Sequence, residues 1–269
     1  MNDTIINNKA VDCYHAIDYL GINKGDTIFV SSDIRPLYVS EKHGSGKFPN
    51  IHKLIDSFIQ KVGPTGTLLF PTYNWGFCKG ELFDIKNTRC LTGSLGQYAL
   101  QRPDFKRTRH PIYSFAVWGK DQDYLCSLNN KSSFGPDSPF AYLSKAHAKN
   151  IVIGLPLCNC FTFVHHIEEI SGYPKYRYIK DFTSQYKDEN GEISIRAYSM
   201  FVRDLDMDVI NDSAPLEKEL IQHNIAKKIF INKVTYTVVD LHSAVEPIMN
   251  DISYNRSRKI CTYKGQEDE

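Results

Sequence analysis

The chain lacks any apolar run near the eighteen or so residues that cross a bilayer, so no membrane-spanning helix is expected. Its first residues, M-N-D-T-I-I, have neither the basic start nor the apolar centre of a secretory signal, and a cytoplasmic protein is expected. It also lacks charge of one sign. Lysine and arginine number 32 against 31 acidic residues, a formal net charge of +1. Binding through nucleic-acid phosphates needs a clustered basic excess, so no nucleic-acid partner is expected. Paired-cysteine spacings are missing too. The seven cysteines are an odd count, and Cys158-Asn159-Cys160 is too tight for a zinc knuckle, so reduced thiols are expected. There is no Walker A loop, no dinucleotide glycine pattern after a strand, and no G-x-S-x-G elbow. No linker, repeat or low-complexity tract interrupts the 269 residues. A single domain over 1–269 is expected, and no oligomeric state follows, although a homo-oligomer is compatible.

What is present alternates helical and strand patterns. Residues 4–20 read as a helix, with Ile6, Ala10, Tyr14, Ile17 and Leu20 near helical spacing. Residues 27–30 read as a buried strand ending at Ser31-Ser32-Asp33. The segment 40–47, S-E-K-H-G-S-G-K, has the composition of a polar loop. Pro49 fits the first turn of a helix whose stripe is Ile51, Leu54, Ile55, Phe58, Ile59 and Val62. A Gly-Pro turn then leads to a strand over 67–70. A helix over 94–101, a strand over 113–118 and a helix starting at Ser138-Pro139 follow. Beyond Tyr178 the texture changes. Asn190-Gly191 marks a hairpin, 228–239 holds two strands around Asn232-Lys233, and a helix is expected over 242–249. The expected fold is α/β: a central, mostly parallel sheet flanked by helices, with a β-rich portion over about 180–240 and a polar tail over 254–269.

The chemistry concentrates in residues 150–178. An apolar strand over 151–153 stops at Gly154, a Gly/Pro turn follows, and 162–170 reads as a helix. Open α/β sheets usually place chemistry at such a handover. His165 is three residues from Glu168 and four from Glu169, so a base and its carboxylate partner share a helix face. Other readings of the same residues stay open. His165, His166 and Glu169 could hold a metal, but no third distant ligand motif accompanies them. Cys158 or Cys160 could act as a nucleophile with His165 as base. The basic loop Arg107-Thr108-Arg109-His110, followed by Ser114, has the guanidinium forks and hydroxyl that match phosphate oxygens.

Six pieces in register resemble the aminoglycoside 3-N-acetyltransferase family, the coenzyme-A-dependent antibiotic N-acetyltransferases, distinct from the GNAT fold. They are Gly25-Asp26 before a strand ending Val30-Ser31-Ser32; V-G-P-T-G-T from Val62, leading to Trp75; Phe83-Asp84; R-T-R-H-P-I-Y-S from Arg107; G-P-D-S-P from Gly135; and I-G-L-P-L…T-F-V-H-H-I-E from Ile153. The resemblance implies transfer of an acetyl or related acyl group from acyl-CoA to a sugar amine, without a metal. It puts the catalytic histidine on His165 and its glutamate on Glu168. It places the acyl-CoA contacts near Ser31, Ser32, His110, Ser114 and Ser138, and phosphate binding by Arg107 is compatible with that. Backbone N–H groups or a hydroxyl, with Thr162 as the candidate, are expected to stabilise the oxyanion. Tyr73, Asn74, Trp75 and Asp84 are expected on the amine side, where aromatic rings could stack on a sugar. The charge-balanced stretch after Trp75 favours a single-amine acceptor, a nucleotide-linked amino sugar of surface-polysaccharide synthesis. An aminoglycoside of antibiotic resistance is the alternative, and a non-catalytic CoA- or nucleotide-binding relative the second. The carboxylates Asp204, Asp206 and Asp208 fall beyond the resemblance and receive no role.

Overall fold

The computed structural model describes residues 4–7, 11–172 and 174–264. Among them, strands run in chain order as β1 (Thr4–Ile6), β2 (Thr27–Ser32), β3 (Thr67–Pro71), β4 (Phe83–Asp84), β5 (Lys106–Arg107), β6 (Phe115–Gly119), β7 (Lys149–Ile153), β8 (Arg177–Lys187), β9 (Ile193–Arg203), β10 (Val209–Asn211), β11 (Ala226–Ile231), β12 (Val234–Asp240) and β13 (Cys261–Tyr263). The helices are α1 (Arg35–Ser45), α2 (Ile51–Val62), α3 (Ser94–Ala99), α4 (Gln122–Ser127), α5 (Pro139–Lys145), α6 (Val164–Ser171), α7 (Ala214–Gln222) and α8 (Val245–Tyr254). No helix among the described residues is long and apolar enough to cross a membrane.

Eight strands form one sheet in the order β1-β11-β12-β7-β2-β3-β6-β5. The centre, β7-β2-β3, is parallel. The strands outside it on both sides pair antiparallel, and β1 is added parallel at one edge. The sheet is therefore mixed around a parallel core. Its central strands are apolar at nearly every position because both faces are covered. Successive side chains alternate faces. Ile28, Val30, Leu68 and Phe70 pack with the α2 stripe on one side. Phe29, Leu69 and Val152 pack with Phe140, Ile167, Leu220 and Ile248 on the other. The two strands 226–231 and 234–240 belong to this same sheet. The long hairpin β8–β9 stands apart with β4 and closes its own aromatic cluster of Phe77, Phe83, Tyr186 and Tyr198.

Several local expectations are corrected. The chain start is a strand, Thr4–Ile6, followed by a short 3-10 turn, Ala16–Tyr19, in place of a helix over 4–20; residues 8–10 of that expectation lie outside the described residues. Ile6 and its neighbours add to β11, so a sheet edge overrides helical spacing. The segment 40–47 is mostly the second half of α1, which ends at Gly46 in a left-handed cap. Polar composition there marks an exposed helix face rather than a loop. Pro49 precedes α2, and Asn50 is the cap, its side chain accepting from Lys53 N at 3.2 Å.

Candidate active site

The C-terminal ends of β2, β3 and β7 lie side by side, and the groups expected to do chemistry gather there. The β7 strand stops at Gly154, whose φ of +74° and whose Cα sits so close to Asp33 O that a Cβ would clash with that backbone. Asp33 N in turn donates to Ile153 O at 2.8 Å. The ends of β2 and β7 are thus pinned together, and the chain is turned through the 3-10 segment Leu157–Asn159 into α6.

On the first turn of α6, His165 Nδ1 lies 2.6 Å from Glu168 Oε2. Glu168 is 2 % exposed. Its other oxygen accepts from Tyr176 Oη at 2.7 Å. Arg177 Nε lies 2.9 Å from Oε2, a close ion pair whose N–H is not aligned as a hydrogen bond. Burial opposes ionisation of Glu168, but His165, Arg177 and Tyr176 together outweigh it and hold the carboxyl below its usual range. An ionised Glu168 accepts the Nδ1 proton, so the lone pair of the neutral imidazole sits on Nε2. Burial first, and the Arg177 charge second, lower the His165 pKa and favour that neutral form. The ring is tightly surrounded yet keeps 20 % of its side-chain surface open.

That open surface meets two cavities. One, of 340 Å³, is lined by Ser31, Ser32, Tyr73, Trp75, Thr92 and Tyr113. The other, of 130 Å³, is lined by Cys158, Phe161, Glu168, Asn211 and Ser213. His165, Thr162, Asn159 and Cys160 border both. His165 and Glu168 are therefore brought together, with Thr162, Ser31, Ser32, Tyr73 and Trp75 around them. The Thr162 N–H is spent on Cys160 O at 2.8 Å, and its hydroxyl makes a long 3.4 Å contact to the same oxygen and lies beside Tyr73. A larger cavity of 560 Å³ lies against β5. It includes no dyad residue, and two of its cations, Lys106 and Arg109, are paired with Asp123 and Glu189.

Other expected site residues are placed elsewhere. Arg107 is buried, and its guanidinium donates to Ser114 Oγ, Thr88 O and Thr72 O while lying over the Phe83 ring. Its hydrogen bonds are all to the fold, although Arg107 borders the 560 Å³ cavity described above. Ser114 is fully buried and bonded to Thr72. His110 is buried with Nδ1 accepting from Ile112 N and Tyr113 N, and Nε2 facing Lys131 O. Ser138 is the buried cap of α5 and donates to Gly135 O. Asp84 caps its own turn and pairs with Lys187. Asn74 bonds Gly76 N and Arg89 O. The side chains of these six are engaged inside the fold, and none of the six borders the two cavities at His165. The metal reading is corrected as well: His166 Nδ1 is bonded to Phe134 O and Glu169 Oε2 accepts from Ser132 Oγ, so both side chains are engaged away from His165. Among the described residues no group of three or more His, Cys, Asp or Glu could hold a metal ion. The thiols are held protonated, Cys160 by burial at a pKa of about 12 and Cys158 by burial and then by Glu217 and Asp212. Neither is a poised nucleophile.

Missed by sequence reasoning were Tyr176, Arg177, Asn211 and Ser213. The first two follow Glu168 by eight and nine residues and offered an aromatic-basic pair as a signal. The last two sit where no motif could be aligned.

Fold and site together define an α/β protein with a histidine–glutamate pair set where parallel strands end. The chain belongs to the aminoglycoside 3-N-acetyltransferase family, whose model matches residues 42–251. That family consists of CoA-dependent N-acyltransferases and is separate from GNAT. Aminoglycoside N(3)-acetyltransferase VII of Streptomyces paromomycinus is 33 % identical over 88 residues, 32 % of this chain and 30 % of that enzyme. Aminoglycoside N(3)-acetyltransferase III of Salmonella sp. is 22 % identical over 205 residues, 69 % of this chain and 68 % of that enzyme. The solved structure of AAC-IIIb in binary complex with CoASH superposes with a TM-score of 0.74 at 17 % identity, covering 97 % of this chain and all of that one.

Proposed function

We propose that this chain transfers an acetyl group from acetyl-CoA to an amine of an aminoglycoside. The observation that carries it is the His165–Glu168 pair at the meeting of two cavities, with Nε2 left free. A sugar ammonium must lose a proton before it can attack, and a neutral imidazole of lowered pKa is suited to take it. Glu168 fixes the tautomer and stabilises the imidazolium once formed. Acetyl-CoA, when bound, supplies the activated thioester carbonyl. The fit of this site to such a group rests on the 340 Å³ cavity, whose wall carries the Ser31, Ser32 and Thr162 hydroxyls.

The relatives' names favour an aminoglycoside over the nucleotide-linked sugar.

Thiol release from acetyl-CoA, measured with kanamycin-type drugs and with UDP- and dTDP-linked amino sugars, tests the reading. Turnover with the drugs alone is expected. Turnover with the nucleotide sugars alone would reverse the substrate assignment. His165→Ala should abolish turnover while acetyl-CoA still raises the melting temperature.

A further inference from the structure

Tyr73 is 4 % exposed, and its Oη, on the wall of the 340 Å³ cavity, makes no well-formed hydrogen bond among the described residues; only a loose interaction with the Thr162 hydroxyl reaches it. A buried hydroxyl without a well-formed hydrogen bond is costly to keep and calls for an explanation. The ring is locked in place. It lies 4.6 Å from Tyr113 and 5.6 Å, edge to face, from Phe115. Its backbone is fixed too, with N–H donated to Thr92 Oγ1 and C=O accepting from Leu91 N. The hydroxyl is therefore aimed by packing. Thr162, on the same wall beside His165, is its polar neighbour.

We propose that Tyr73 is a catalytic residue: its Oη donates a hydrogen bond to the thioester carbonyl oxygen and stabilises the negative charge that develops there. This rests on the acetyltransferase reading above. The step balances within the two substrates, with one proton released to solvent. The amine lone pair forms the C–N bond, and the carbonyl π pair moves onto oxygen, where Tyr73 meets it. That pair then returns, the C–S bond breaks, and the sulfur leaves with its electrons as thiolate. His165 Nε2 takes the ammonium proton before attack and passes it to the thiolate, and the second N–H proton, lost as the amide forms, goes to solvent. Tyr73 gives up no proton. Burial, and next the neighbouring Tyr113, hold its pKa well above the usual value, so it remains a donor throughout. A donor fixed in advance costs no reorganisation at the moment of reaction, which is where such stabilisation comes from.

Tyr73→Phe removes one oxygen that makes no well-formed hydrogen bond to the protein and leaves the ring stack intact. The expected result is unusual for a buried position: a melting temperature unchanged or raised, with kcat for acetyl transfer reduced about 100-fold and the KM for acetyl-CoA within about threefold of wild type. The infrared stretch of a bound 13C-labelled thioester carbonyl should also move to higher frequency in the variant. A kcat within twofold of wild type overturns the proposal, as does lost activity with an unmoved carbonyl stretch. If the wild-type protein transfers to no amine, the acetyltransferase reading fails, and the carbonyl stretch alone then decides the role of Tyr73.

Discussion

Arg177 Nε and His165 Nδ1 meet on the same atom, Glu168 Oε2, at 2.9 Å and 2.6 Å. One carboxylate oxygen thus serves a guanidinium and an imidazole at once. Arg177 is itself anchored, through Nη2 to Asn211 Oδ1 at 2.9 Å and Nη1 to Phe201 O. Its fixed positive charge makes a second one on His165 unfavourable, and this adds to the effect of burial on the ring. The base is thereby kept neutral at physiological pH. The sign for catalysis follows: activity is retained above the lowered His165 pKa and falls on the acid side, below pH 6.5. Arg177→Gln removes the repulsion, so the acid limb of kcat/KM should move to higher pH. Arg177→Lys should restore it in part. A limb that stays in place in Arg177→Gln would show that burial alone sets the value.

Glu168→Gln keeps the size of the side chain but exchanges an acceptor-only carboxylate for an amide. The amide can donate to Nδ1 and so place the ring proton on Nε2, the wrong tautomer for a base. It also loses the charge that stabilises the imidazolium. A fall in kcat of about 10⁴-fold is expected from the cost of the same carboxylate-to-amide change in the Ser-His-Asp constellation. Acetyl-CoA affinity, read by calorimetry, should stay within severalfold. Stopped turnover with lost binding would instead mark a collapsed site, since Tyr176 and Arg177 both depend on this carboxylate.

How far the sequence alone reaches is clear from particular residues. His165 and Glu168 are legible because helical spacing three apart converts directly into contact. The β2, β3 and β7 strands are legible because burial on both faces writes an unbroken apolar run. The helix Arg35–Ser45 is not, because an exposed helix with Gly44 and polar neighbours has the composition of a loop. Nor is the origin of the dyad's support. Tyr176 and Arg177 sit at the start of a hairpin, and only the tertiary path of β8 behind α6 shows which carboxylate they serve. Arg107, His110, Ser114 and Ser138 teach the opposite lesson. Polar residues in a loop motif look available, yet here each is consumed by backbone groups of the loops it ties together.

Arg107 illustrates that correction in a measurable way. Its guanidinium satisfies two backbone carbonyls and Ser114, with burial lowering its pKa to about 10. Arg107→Met would leave Thr72 O and Thr88 O without that donor. Loss of roughly 2–3 kcal/mol of stability is expected from such orphaned groups. Urea denaturation reads it directly. The KM for acetyl-CoA should be unchanged in the folded fraction. A KM raised tenfold with normal stability would return Arg107 to the phosphate-binding role that its motif suggested.

His110 makes the fold acid-sensitive independently of catalysis. It is 1 % exposed, and burial lowers its pKa to about 4. Its Nδ1 accepts from two backbone N–H groups, a role that only the neutral ring can fill. The folded value lies below the unfolded value of about 6.5, so the unfolded chain takes up the proton first as pH falls. The stability that His110 contributes is complete above about pH 6.5 and is lost as pH falls towards 4. The span of about 2.5 units corresponds to roughly 3 kcal/mol. Denaturation midpoints measured between pH 7 and pH 4 should show this decline. In His110→Gln, whose amide oxygen can still accept a backbone N–H, the decline should be shallower by about that amount, even if the variant starts from lower stability at neutral pH. An equally steep decline in the variant would move the acid sensitivity to other groups, among which the buried His166 is next in line, with its pKa lowered by burial as well.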